Sequence, residues 1–216
     1  MPRFPHISRF APAVRLAPRL SLVLSLVLSI VLLAALTTPA AFAHVTPNVE
    51  LVKRGVFIRD ALPGASQFFE RKLDLGDADR AAIRQAVDWI PSVDDTKVYV
   101  GRDADGALVG TAIFVWTPSQ HGPVSIGVVF DPAGAILRVT VTEVGSEPLS
   151  WVQPLVEGNG MTAFEGLALD QAPDPSRVAP EVRGKMSRYY AEVIAEGVRR
   201  AQAVEKVAAP GAEGSS

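Results

Sequence analysis

The chain has 216 residues, with 21 Lys and Arg against 23 Asp and Glu, three His and no Cys. The absence of Cys excludes disulfides, thiolate metal sites and thiol nucleophiles. The acidic balance, which reaches −6 once the four arginines before the apolar run are set aside, argues against nucleic acid or an anionic membrane surface as a partner.

Met1 to Ala43 does not read as part of the fold. It carries Arg3, Arg9, Arg15 and Arg19, no acidic residue, an apolar and Ser run from Leu20 to Leu36, and small residues in A-x-A positions up to Ala43. This is the pattern of a secretory signal cleaved after Ala43. An uncleaved anchor is the competing reading, since Leu20 to Leu36 approaches the ~17-residue lower limit for a bilayer span. Either way the remaining domain is expected outside the cytoplasm, periplasmic or secreted. No twin-arginine pair precedes the apolar run, so export is expected in the unfolded state and any cofactor is acquired outside. Removing the four signal arginines leaves 17 basic residues against the same 23 acidic ones, a net of −6.

Residues 44–96 form a lead-in with a short apolar segment from Val49 to Ile58, a Leu62-Pro63-Gly64 turn, a strand over Ser66 to Leu75 and a helix over Ala78 to Trp89. Asp77 is the expected N-cap of that helix, and Ala82, Ile83, Ala86, Val87 and Ile90 its apolar stripe. From Lys97 the pattern becomes β-branched runs split by Asp/Gly turns. Strands are expected over Lys97 to Arg102, Ala107 to Thr117, Pro123 to Phe130 and Ala135 to Val144, joined at Asp103 to Gly106, Pro118 to Gly122 and Asp131 to Gly134. Val139 and Val141 alternate with Thr140 and Thr142, which predicts one covered and one wetter face.

Gly145 to Asp170 is rich in Pro and Gly and is expected to be a long irregular loop, functional by its length and ordered by its aromatics. Gln171 to Pro180 reads as a connector. Arg183 to Val204 then places Met186, Tyr189, Tyr190, Val193, Ile194, Val198 and Ala201 on one stripe, with Glu192, Glu196, Arg199, Arg200 and Gln202 opposite. Gly197 lies inside the apolar stripe. Because Gly costs roughly 1 kcal/mol against Ala in mid-helix, a close backbone approach is expected there. Residues 207–216 read as a disordered tail. The fold expected is α+β, an antiparallel meander packed against a C-terminal amphipathic helix.

The order Gly122-Pro123, Asp131 to Gly134, Glu147-Pro148, Phe164-Glu165-Gly166 and a helix opening at Gly184 resembles the FMN-binding domain family. Its members include the G subunit of the Rnf electron-transport complex and the C subunit of sodium-translocating NADH:quinone reductase. The resemblance covers about Lys97 to Val204, so residues 97–206 are taken as an FMN-binding-like domain. In that family the flavin phosphate is esterified to a Thr in a Ser-Gly-Ala-Thr motif at the start of the last helix, by a flavin transferase acting outside the cytoplasm. Here Arg183, Gly184, Lys185 and Met186 occupy that motif. Met186 has no hydroxyl, so the family's phosphoester cannot form on it. Ser187, one residue on, is rotated about 100° around the helix.

The resemblance therefore implies an extracytoplasmic electron carrier holding FMN non-covalently, or a flavin-free binding or scaffold module on the same fold. Partners would be redox proteins at the membrane. Gly184, Lys185 and Ser187 are the candidate phosphate contacts, at a helix start where free N–H groups and a cation suit an anion. Glu147, Trp151 and Phe164, with Gly122 at the strand opening, are the candidates near the flavin ring. Against each stands a plainer role: a solvated junction at Gly184 and Lys185, a solvated Glu147, core packing for Tyr189 and Tyr190, and a turn for His121. An oxidoreductase acting on a small substrate would need a proton donor, and His121 is the obvious one. Asp94, Asp95, Asp103 and Asp105 lack the spacing of a calcium loop and read as turn residues.

Overall fold

The computed structural model describes residues 47–92, 95–178 and 184–208. Met1 to Ala43, Asp94, Arg183 and the tail from 209 onward lie outside the described residues. The elements are β1 (Asn48–Glu50), α1 (Arg54–Ala61), β2 (Gln67–Lys72), α2 (Asp77–Val87), β3 (Lys97–Arg102), β4 (Leu108–Thr117), β5 (Val124–Phe130), β6 (Ile136–Gly145), α3 (Leu149–Glu157) and α4 (Lys185–Ala208), with 3₁₀ turns at Gly160–Phe164 and Pro175–Arg177.

Among the described residues six strands form one antiparallel sheet in the order β1-β6-β5-β4-β3-β2. The expected four-strand meander is its centre. Asp103 and Asp131 build the two hairpin turns in the same way: each Oδ1 accepts two later backbone N–H groups, at 3.0 and 2.8 Å from Asp105 and Ala107, and at 2.9 and 2.8 Å from Ala133 and Ala135. These are side chains mimicking backbone in a turn, which accounts for Asp103 without a cation. Asp95 is likewise spent, accepting from Ser92 N, Ser92 Oγ and Trp116 N at 3.0, 2.6 and 3.1 Å.

The two faces of the sheet bury different sets. Ile113 and Val115 of β4 and Ile126 and Val128 of β5 share one core with α4, and Val139 and Val141 of β6 join it on the side covered by α3 and the 3₁₀ turn Gly160–Phe164. Ala112, Phe114 and Val129 meet Phe57, Ile58 and Leu62 of α1 and the turn after it. Arg54 lies 5.0 Å over the Phe114 ring and 3.7 Å from Glu143. The expected wetter face is thus not wet: Thr140 is 7% exposed and Thr142 is fully buried, sharing a 2.8 Å hydrogen bond with Ser125. The period-2 pattern distinguishes the faces correctly, but α1 covers the polar one.

α4 packs on β4 and β5, and is covered on its other sides by α2, α3 and the turn at Pro175–Arg177. Burial consequently spreads beyond the predicted stripe to Ala191, Ala195, Gln202, Ala203 and Glu205. Gln202, expected on the solvated side, donates to Ala168 O and Gln171 O at 2.8 and 3.0 Å. Gly197 is where the helix touches the sheet. A Cβ built there would lie 2.1 Å from Ile126 Cδ1 and 2.8 Å from Thr117 Oγ1.

Several boundaries differ from expectation. Residues 54–61 of the lead-in, for which no element is expected, form a helix. α2 begins at Asp77 with Gly76 as N-cap, whose N–H donates to Asp79 Oδ2 at 3.2 Å, and it ends at Val87 on a left-handed Asp88. Of its expected stripe only Ile83 is buried; Ala82 and Ala86 are exposed, as is Ile90 beyond it. Gly145 to Asp170 contains α3 and a 3₁₀ turn instead of a loop, and α4 continues through Val207 and Ala208, past the expected start of the tail.

Candidate functional site

One end of the sheet gathers most of the predicted site residues. β4 and β5 are joined by the turn Pro118 to Pro123, and β5 pairs with β6 at Val124↔Val144, so Glu147 just past β6 falls beside that turn. Ser119 closes the turn: its Oγ donates to Gly122 O at 2.5 Å and accepts from His121 N at 3.4 Å. Gly122 sits at φ +110°, in the region that favours glycine. Its position follows from this turn, which presents His121.

His121 Nδ1 lies 2.8 Å from Glu147 Oε1. A carboxylate accepts, so the proton sits on Nδ1 and Nε2 is left for other partners. The imidazole lies 5.1 Å from the Trp151 ring in the first turn of α3, and Trp151 stacks on Tyr190 of α4 at 6.0 Å and 17°. Tyr189 meets Tyr190 edge-on at 5.2 Å. Both phenols tie α4 to the turn: Tyr189 OH accepts from Gln120 N at 2.9 Å, and Tyr190 OH lies 3.2 Å from Ser119 Oγ. Burial pushes the Tyr190 hydroxyl above its ordinary value while the Ser119 bond opposes this, so it stays a neutral hydrogen-bonding group. Tyr190 is fully buried, whereas His121 and Trp151 are half-buried and Glu147 is exposed. The result is an aromatic wall ending in a His–Glu pair open to solvent.

The start of α4 lies one helical turn before Tyr189 and Tyr190. Gly184 and Lys185 are exposed, and Gly184 O accepts the Arg188 N–H at 3.1 Å as the helix begins. Ser187 is only 8% exposed. Its Oγ is 3.6 Å from where a Cβ on Gly184 would lie, so the hydroxyl is tucked beneath the helix start. Met186 is half-buried and offers no oxygen. Arg183, the remaining motif position, is outside the described residues.

These residues suit an anionic, planar ligand in part. Trp151, His121 and Glu147 supply a partly exposed ring and polar edge; Gly184 and Lys185 supply backbone N–H groups and a cation within a turn or so along α4. A covalent phosphate ester does not fit, since the motif position has no hydroxyl and the neighbouring one is buried.

Phe164 does not belong with them. It is fully buried in the core. The residues after it pair with the far end of β6, Gly166 N with Ile136 O at 2.8 Å and Ile136 N with Leu167 O at 2.9 Å. Ten residues of β6 separate that end from Glu147, roughly 30 Å of strand.

Ser119 and the backbone of Gln120 are not among the predicted site residues, although Ser at the first and Gly at the fourth position is a turn signature. His121 and Tyr190, read from the sequence as turn and core residues, serve those roles and also line the site.

A groove of about 290 Å³ lies elsewhere, between α1, β6 and the 3₁₀ turn, lined by Phe57, Asp60, Arg138, Thr140, Met161 and Glu165 among others. Among the described residues no cluster of three or more His, Cys, Asp or Glu could hold a metal ion, and no helix is long and apolar enough to cross a membrane. Comparison of the chain with protein-family models and with curated proteins found no match.

Proposed function

We propose that this is an exported FMN-binding domain that works as an extracytoplasmic electron carrier, passing electrons between redox proteins at the membrane. The observation that carries the reading is the meeting of the Trp151–Tyr190 stack, the His121–Glu147 pair and the first turns of α4 at one end of the sheet. Bound FMN supplies reversible one- or two-electron transfer. The chain's part is to hold it: Gly184 and Lys185 toward the phosphate, Trp151 against the ring, and the Nδ1-protonated His121 and Glu147 along its polar edge. The Ser187 hydroxyl is buried beside the helix start and is set aside as a phosphate contact.

Met186 favours a second reading, a flavin-free binding module that has lost the attachment residue. The two separate in one experiment. The chain is co-expressed with a flavin transferase under export, and absorbance in the flavin bands is recorded before and after acid precipitation. Flavin released to the supernatant supports the carrier reading. Flavin retained in the pellet would mean a covalent link, which Ser187→Ala should then abolish. Colourless protein in both fractions favours the flavin-free module.

A further inference from the structure

At the opposite end of α4, a buried carboxyl and a half-buried arginine each keep one buried polar atom without a partner among the described residues. Glu205 is 5% exposed. Its Oε1 accepts from Thr111 Oγ1 of β4 at 2.8 Å, and its Oε2 has no partner among the described residues. Arg71 of β2 directs one terminal nitrogen to the carbonyl of Ala208, the last residue of α4, and its Nε is also buried without a partner among the described residues. The orphans are an acceptor and a donor, and Arg71 is the charge that acts on Glu205. On the same face β3 presents Val98 and Val100, and α4 itself places Ala201 one turn back. Lys206, and Arg80 and Arg84 of the neighbouring α2, are exposed.

Arg71 thus caps the C-terminal end of α4, where carbonyls lack helical partners and a cation is favoured. An ionised Glu205 would compete for that cation, because a buried carboxylate gains most from a charge-assisted bond. We propose that Glu205 and Arg71 form a proton-controlled latch. With Glu205 protonated, Arg71 holds the Ala208 carbonyl and the last turn of α4 is closed on the edge strand β2. When Glu205 loses its proton, its Oε2 takes the Arg71 Nε–H, the Ala208 carbonyl is released and the last turn frays. Burial pushes the Glu205 carboxyl up to about 7, which puts the exchange near neutral pH.

Hydrogen exchange on the exported protein tests this directly. After correction for intrinsic rates, protection of the amides of Val204 to Ala208 should fall about tenfold between about pH 5.5 and 8.5. In Glu205→Gln it should stay at the high level throughout. Equal falls in both proteins, or no fall in either, would overturn the latch. A second readout needs no variant: the Arg71 Nε–H resonance should move with the same midpoint as the loss of protection. A resonance indifferent to pH over that range would overturn it equally.

Discussion

Gly197→Ala measures how closely α4 is set against the sheet. In an open helix the change would stabilise by about 1 kcal/mol. Here the new Cβ would lie 2.1 Å from Ile126 Cδ1, 3.2 Å from Ile126 Cβ and 2.8 Å from Thr117 Oγ1. The Cδ1 could swing aside, but Ile126 is fully buried and its Cβ is fixed by the strand. Overpacking of this kind costs about 1–3 kcal/mol, and the rigid contacts place it near the upper end. The net expected is a loss of about 1–2 kcal/mol, read by urea unfolding, or as about 2–4 °C in Tm per kcal/mol for a domain of this size. Ile126→Val removes the Cδ1 and by itself costs about 0.5–1.5 kcal/mol. Combined with it, the Gly197→Ala penalty should shrink by about 1 kcal/mol, a coupling that a double-mutant cycle resolves. A Gly197→Ala protein that is more stable by about 1 kcal/mol, or a cycle that is additive, would refute the close approach.

Glu205→Gln should stabilise the protein increasingly as pH rises above about 4.5, with the gain levelling off above about 7. The folded carboxyl stands at about 7 against a reference of 4.5, so the wild type is at its full stability below about 4.5 and loses stability as pH rises through 7. The gain from Gln should approach about 3 kcal/mol at pH 8 and vanish near pH 4.5 in chemical denaturation; equal gains at both would contradict it. Phe164→Ala should cost about 3–5 kcal/mol as a core deletion yet leave FMN affinity of the folded fraction unchanged, and a selective loss of affinity would return Phe164 to the site. Asp95→Ala removes the acceptor of Ser92 N and Trp116 N and should cost about 1–3 kcal/mol, with no effect of added calcium on the wild-type Tm.

What the sequence discloses follows from how local each signal is. The four central strands are legible because Asp103 and Asp131 close their turns with their own side chains. Gly197 is legible because a glycine inside an apolar helical stripe implies a neighbour too near for a Cβ. α3 is hidden by Pro148 and Pro154, which read as loop residues. In the structure Pro148 precedes the helix, and the Pro154 carbonyl caps it by accepting from Gly158 N at 3.1 Å. The wet face assigned to Thr140 and Thr142 depends on where α1 docks, a long-range contact that periodicity does not encode. Phe164 reads as functional because an aromatic among glycines stands out, but burial is decided by tertiary packing. Glu205 carries an unused signal: it continues the series Ile194, Val198 and Ala201 on the buried face of α4. At the candidate site, Gly122, Glu147, Trp151, Gly184 and Lys185 fall at one end because the β4–β5 turn, the end of β6 and two helix starts converge there. No single stretch of sequence states that convergence.

The flavin reading is tested most directly by titrating FMN with the protein and following flavin fluorescence. Saturable quenching at one FMN per chain, weakened about tenfold or more in Trp151→Ala, is the predicted result. No quenching at protein concentrations of about 100 μM, from protein that also emerges colourless when co-expressed with a flavin transferase, would contradict it.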